Sequence, residues 1–126
     1  MSEKKVLVLG AGLIGKAIAI DLCRRHAVTS ADRSPEALEE LTRQHPITAL
    51  VLDITDHRAL AEAVVPFHLV IGAVPGALGF ATLRPVVAAG RHVGDISVFP
   101  ADALALEARA LGNEATAGVG RLGGVG

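Results

Sequence analysis

The chain has 126 residues, about one domain, with 51% hydrophobic residues, 2% aromatics and a formal charge of −1. That charge, with no basic stripe and no interleaved aromatics, argues against a nucleic-acid partner. The single cysteine excludes an intrachain disulfide framework and a cysteine-cluster metal site, and no apolar run nears the ~20 residues of a membrane span.

The apolar residues are almost all Ala, Val, Leu and Ile, which suits a parallel sheet buried on both faces by helices. The N-terminus runs directly into Lys5–Leu9, an apolar strand, with no signal-peptide pattern ahead of it, so a cytoplasmic location is expected. Leu13–Arg25 follows as a helix, with Ile14, Ala17, Ile18 and Leu22 on one face and Arg24 and Arg25 suited to the negative end of its dipole. Ala27–Ala31 is a second strand, ending at Asp32. Ser34 and Pro35 supply an N-cap and a first helical position for a helix to about Gln44. Ile47–Leu52 is a third strand, and Thr55 or Asp56 caps a helix that Pro66 stops after Val65. His68–Gly72 is a fourth strand, broken into a loop by Val74-Pro75-Gly76. Phe80–Ala89 is expected to be helical, His92–Ile96 a fifth strand and Pro100–Leu111 a fifth helix. This alternation implies right-handed crossovers and a doubly wound parallel sheet, a single α/β domain with helices on both faces. The domain is expected to span 1–118, with a short sixth strand at Glu114–Gly118. Residues 119–126 form a tail too rich in glycine to hold regular structure alone.

Val6-Leu-Val-Leu-Gly10-Ala-Gly12-Leu-Ile-Gly15 places G-x-G-x-x-G between the first strand and the first helix. Gly10 makes the tight turn, Gly12 lets the backbone approach a phosphate, and Gly15 lets the helix pack close to the sheet. Leu13 and Ile14 stand at the helix start, where free amides and the positive dipole end favour an anion. The context is that of a dinucleotide-binding turn in a Rossmann fold; the plainer reading is a corner whose glycines serve only packing. Asp32 lies 17 positions after Gly15. Its carboxylate would accept hydrogen bonds from the adenosine ribose hydroxyls and repel a 2′-phosphate, or it is simply a solvated loop aspartate. Arg33 can stack on adenine or pair with a 2′-phosphate, so NAD is the preferred cofactor and NADP stays open. Asp53, followed by Ile54, either contacts the adenine amino group or opens the next helix. Ala73, Val74 and Pro75 follow the fourth strand on the ligand side, where backbone groups face the nicotinamide ribose. Asp95 and Ser97 are placed to reach the nicotinamide or a substrate amine, although Ser97 serves equally as a turn cap.

Other chemistry finds less support. Cys23 reads as a structural thiol on the first helix. His26, His45, His57, His68 and His92 are scattered without metal-ligand spacing, so no metal site is expected. A hydrolase nucleophile would sit on a sharp strand–helix turn, and the turn here carries Ala11 and Leu13 instead.

With these motifs in place, the sequence resembles the N-terminal domain of the saccharopine dehydrogenase and lysine dehydrogenase family, over roughly residues 4–111. The resemblance rests on Val6 to Ala19, Ala31-Asp-Arg33, Leu52-Asp-Ile-Thr-Asp56, Leu69 to Gly76 and Gly94-Asp-Ile-Ser97. The Val-Pro-Gly loop combined with the later Asp-Ile-Ser is its most specific part, and Val98 departs from the aromatic residue often found there. The resemblance implies an NAD(P)-dependent oxidoreductase acting on the amine or secondary amine of an amino acid. It also implies a second, substrate-binding domain, on a further segment or a second chain, so that this domain binds the dinucleotide without turnover alone. Apolar helix faces and an exposed strand position favour a homo-oligomer. A different class of function suits one such unit as well: a nucleotide-sensing regulatory module of the kind that gates potassium conductance. The Val-Pro-Gly and Asp-Ile-Ser segments fit the dehydrogenase pattern better. The absence of tyrosine removes a short-chain reductase or epimerase with a Tyr-x-x-x-Lys pair.

Overall fold

A computed structural model describes residues 3–73, 91–93, 96–106, 108–110 and 112. Strands and helices alternate as β1 (Lys5–Leu9), α1 (Leu13–Leu22), β2 (Ala27–Asp32), α2 (Pro35–Gln44), β3 (Thr48–Val51), α3 (His57–Val64) and β4 (Leu69–Gly72). Two short strands follow, β5 (Arg91–Val93) and β6 (Ile96–Pro100), and then helical turns at 101–106 and 108–110. The expected helix at 80–89, sixth strand at 114–118 and glycine-rich tail at 119–126 lie outside the described residues.

The sheet order is β3-β2-β1-β4-β6-β5. β1 pairs in parallel with β2 and β4, and β2 pairs in parallel with β3. This is the mostly parallel, doubly wound α/β sheet that the alternation implies. The end of the sheet differs in detail. Instead of one strand at 92–96, β5 and β6 pair antiparallel to each other, and β6 runs antiparallel to β4. Only Gly94 and Asp95 separate the two strands in sequence, a spacing and composition suited to the shortest hairpin. The antiparallel register still sets Ser97 beside Gly72.

Alternate residues of β1 point to opposite faces. Leu7 and Leu9 join Val70, Leu60, Val64, Phe99, Leu104 and Ala108 on the side covered by α3 and the helical turns after β6. Val6 and Val8 join Val28, Ile71, Ala19 and Leu41 on the side covered by α1 and α2. Four of the five β1 residues are buried, as befits a strand covered on both faces.

Helix α1 lies on the sheet by a face rotated from the one its apolar periodicity indicates: Ile18 and Leu22 of that expected face do pack against the core. Gly15 and Ala19 are buried, while Ile14 and Ala17 are exposed. The helix is apolar on most sides, so the smallest residues, which allow the closest approach, decide which face meets the sheet. It also ends at Leu22, with Cys23 as its C-cap, rather than at Arg25; Cys23 donates its thiol to Ile20 O at 3.1 Å. The start of α2 is as the sequence indicates, with Ser34 Oγ accepting the Ala37 amide ahead of Pro35. At α3 the cap is Asp56, whose Oδ1 accepts the Ala59 amide at 3.2 Å.

Two histidines hold the amino-terminal edge of β1. The Lys4 amide donates to His26 Nδ1 at 3.1 Å, and the Lys5 amide donates to His68 Nδ1 at 2.9 Å. That is the end of the strand opposite the glycine turn.

Candidate functional site

The site grows from the carboxyl ends of the parallel strands. Gly10 leaves β1 with a φ of 106°, in the left-handed region that a side chain resists. Its amide donates to Ala31 O at 2.7 Å, extending the β1–β2 ladder one step past the strand. The next amide, that of Ala11, turns to Asp32 Oδ2 at 2.7 Å. The other carboxylate oxygen, Oδ1, accepts the Ser34 amide at 2.9 Å. Asp32 thus ties the glycine turn to the loop after β2. A carboxylate offers about four acceptor positions, so two remain for a ligand's hydroxyls.

The three glycines of the motif meet different constraints. Gly10 is required by its backbone. At Gly15 an added Cβ would lie 2.8 Å from the Gly10 carbonyl carbon and 3.6 Å from the Ala73 Cβ, so packing requires glycine there. At Gly12 an added Cβ would meet nothing within 4 Å, and the φ of −76° suits any residue. Gly12 is the N-cap of α1 and provides no side-chain cap. The first intrahelical bond shown is Lys16 N–H to Gly12 O at 2.9 Å, so the amides of Leu13, Ile14 and Gly15 precede it and point out of the helix end. Leu13 is 88% exposed beside them.

Around this turn the fold gathers Gly10, Gly12, Leu13, Ile14, Gly15, Asp32 and Ala73; the Ala73 amide donates to Leu9 O at 2.8 Å. Arg33 follows Asp32 directly at the end of β2, and Asp53 stands one strand further out, after β3. Leu52 N–H donates to Asp32 O at 3.0 Å, so the residues after Asp32 and Leu52 leave adjacent strands together. Asp53 Oδ1 accepts the Thr55 hydroxyl at 2.7 Å and the Thr55 amide at 3.0 Å. The hydroxyl bond first, then the amide bond, with a smaller contribution from the nearby Arg33 charge, hold the Asp53 carboxyl below its ordinary range. One oxygen of Asp53 therefore builds the turn into α3. Ile54 packs its side chain against the core. Val74, Pro75 and Asp95 lie outside the described residues, and Ser97 is described as part of β6 only.

Sequence reasoning missed Thr55 as the clamp on Asp53, although the Asp-x-Thr spacing signals such a turn. It also missed the ion pair of Lys16 Nζ with Glu40 Oε1 at 2.9 Å, which joins α1 to α2 and holds the Glu40 carboxyl below its ordinary range. Among the described residues no group of three or more His, Cys, Asp or Glu gathers where a metal could bind, and no helix is long and apolar enough to cross a membrane.

A sequence model of the family described as saccharopine dehydrogenase NADP binding domain matches residues 6–119. The chain belongs to that family. Among solved structures, this NADP-binding-domain relative is similar to apo saccharopine dehydrogenase (L-Glu forming) from Saccharomyces cerevisiae. The identity is 25% and the TM-score 0.58, over 68% of this chain and 20% of that one. It is also similar to a 3-hydroxyacyl-CoA dehydrogenase from Archaeoglobus fulgidus, at 29% identity and a TM-score of 0.50, over 68% of this chain and 29% of that one. The match therefore covers less than a third of the length of either enzyme. A search of curated proteins gives no match. Membership makes the cofactor class a nicotinamide dinucleotide, and the residues present fit one. Open space above Gly12 and outward amides at the start of α1 leave room and donors for a pyrophosphate.

Proposed function

We propose that this domain holds NAD in preference to NADP, as the cofactor-binding part of an oxidoreductase acting on the carbon–nitrogen bond of an amino acid. The observation that carries the binding reading is Gly12. Neither its backbone nor its neighbours require glycine, so the residue is explained by what approaches it from outside. A pyrophosphate over the Leu13, Ile14 and Gly15 amides, favoured by the helix dipole, accounts for it. Asp32 would accept the adenosine ribose hydroxyls on its two remaining acceptor positions, and Asp53 with the Ile54 main chain would border the adenine. Ala73, with Val74 and Pro75 after it, would line the nicotinamide ribose, and Asp95 and Ser97 would face the nicotinamide or the substrate amine. When bound, the nicotinamide supplies hydride exchange at its C4. The residues of this chain position that ring and exclude a second charge from the ribose. The groups that recognise the amino acid belong to a further domain, so this chain alone turns over no substrate.

Titration with NADH and NADPH, followed by fluorescence or calorimetry, tests the reading. Micromolar-range binding of NADH, weaker binding of NADPH and no oxidation of lysine or saccharopine are expected. Failure to bind either cofactor removes the reading, and tighter NADPH binding reverses the preference.

A further inference from the structure

β1 is flanked by β2 on one side and β4 on the other, and a histidine stands immediately before each of these parallel strands. His26 precedes Ala27, and His68 precedes Leu69. Both rings turn back onto β1. The Lys4 amide donates to His26 Nδ1 at 3.1 Å, and the Lys5 amide donates to His68 Nδ1 at 2.9 Å. Main-chain bonds run beside them, from the Ala27 amide to Lys4 O at 3.0 Å and from the His68 amide to Lys5 O at 2.8 Å. The two rings thus take amide bonds that neighbouring carbonyls take further along the ladder. A main-chain amide can only donate, so each Nδ1 presents its lone pair. The proton of the neutral ring then sits on Nε2.

We infer that His26 and His68 form a pH-sensitive latch on the amino-terminal edge of β1, closed while both rings are neutral and opened by protonation. A protonated imidazole donates from both nitrogens, so it cannot accept the Lys4 or Lys5 amide. Imidazole is also the side chain whose ordinary charge change falls between about pH 5 and 8. His26 is half-buried and His68 exposed, so protons reach both. The released edge takes up protons that the latched edge excludes, so the latch holds near neutrality and is lost as pH falls. Around His26 the charged and titratable groups are Lys4, then Asp21, Arg24 and Arg25 at the end of α1, with Arg43 and His45 at the end of α2. Around His68 they are Glu3 and Lys5 on the β1 side, Glu62 near the end of α3 and Asp102 after β6. All of these except His45 are exposed, so solvent and salt screen them. Among the described residues no carboxylate pairs with either ring. Release is local: the Ala27 and His68 amides keep their bonds to β1, and the glycine turn lies at the other end of the strand. The latch is independent of what that turn binds.

Nitrogen NMR of the histidine rings and amide exchange, both on the full chain, test the latch between about pH 5.5 and 7.5. At the upper end both rings should carry their proton on Nε2. On acidification the protection of the Lys4 and Lys5 amides, corrected for intrinsic exchange, should fall by about threefold to tenfold, the worth of one neutral hydrogen bond. A double variant, His26→Asn with His68→Asn, sets an acceptor oxygen near the place of each Nδ1 and does not titrate. Its Lys4 and Lys5 amides should keep their protection at both ends of the range. A proton on Nδ1 of either ring at the upper pH overturns the inference, as does unchanged protection in the wild-type chain on acidification. A fall that persists in the double variant overturns it too, and assigns the effect to another group such as His45. The ring and exchange measurements on the wild-type chain decide the matter even where the double variant proves too unstable to measure.

Discussion

Asp32 accepts the Ala11 amide at 2.7 Å, so the last residue of β2 holds the turn that follows β1. The bond crosses the mouth of the sheet and is charge-assisted, roughly twice as strong as a neutral one. One carboxylate thereby fixes the Gly10–Ala11 peptide plane and, through Ser34, the entry to α2.

Replacing Asp32 by alanine should therefore act on stability and on binding together. The two amides lose their acceptor, at a cost of about 1.5–3 kcal/mol for hydrogen bonds to a charged group. Affinity for both dinucleotides should fall, and it should fall further for NADH than for NADPH. Denaturant melts and cofactor titrations on one preparation separate the two effects. Unchanged affinity for both cofactors would take Asp32 out of the site.

The glycines should divide cleanly. Gly15→Ala drives a methyl group against the Gly10 carbonyl, and overpacking of this kind costs about 1–3 kcal/mol. Gly12→Ala has open space and an ordinary φ, so its stability should change by less than about 1 kcal/mol. Yet Gly12→Ala should lose most of its dinucleotide affinity, because the methyl group would occupy the room left for the phosphates. A Gly12→Ala domain that melts normally and binds normally would leave the turn without a ligand.

Much of this arrangement is legible in the sequence. The bounds of β1 and α2 and the pairing of Gly10, Gly12 and Gly15 with Asp32 follow from strand composition, the Ser34-Pro35 start and the acidic residue at the end of β2. The face of α1 was legible only in part, since Ile18 and Leu22 pack on the core while Ile14 and Ala17 do not. A helix with Leu13, Ile14, Ile18, Ile20 and Leu22 offers several apolar stripes, and the choice among them is made by the absence of a side chain at Gly15, a tertiary constraint. The β5–β6 pairing escaped for a related reason. Alternation of strands and helices sets an expectation of parallel strands, while Gly94-Asp95 is a local hairpin signal that competes with it. Asp53 was ambiguous between ligand contact and helix entry because a carboxylate has two oxygens; one is committed to Thr55.

Acid should weaken the domain through Asp53. Its folded pKa lies below the ordinary value of 3.8, first because of the Thr55 hydroxyl bond. A depressed carboxyl contributes stability that is fully present above the unfolded value and is lost as pH falls through the folded one. The loss should thus appear below about pH 4. Thr55→Val removes the hydroxyl bond, the largest cause, and should make the stability profile shallower in that range while leaving it unchanged near neutrality in shape. Denaturant midpoints measured from pH 3 to 7 check this; identical slopes in both proteins would show that Asp53 has no part in acid sensitivity.

Ser30 offers a test of the core beneath the site. It is the one polar residue among the described residues that is fully buried, at 0% exposure, and its hydroxyl has no hydrogen-bond partner there. It lies on β2 between Val8 of β1 and Ala49 of β3, two positions before Asp32. A buried hydroxyl without a partner costs about 1–3 kcal/mol of desolvation, more than the small volume lost when it is removed. Ser30→Ala should therefore raise the denaturation midpoint, by about 1 kcal/mol in free energy after the void left behind is counted. NADH affinity should stay unchanged, because Asp32 keeps both of its amides. A less stable Ser30→Ala domain would instead reveal that a buried water bonds the hydroxyl, and a change in NADH affinity would show that packing under β2 reaches the ribose-binding carboxylate.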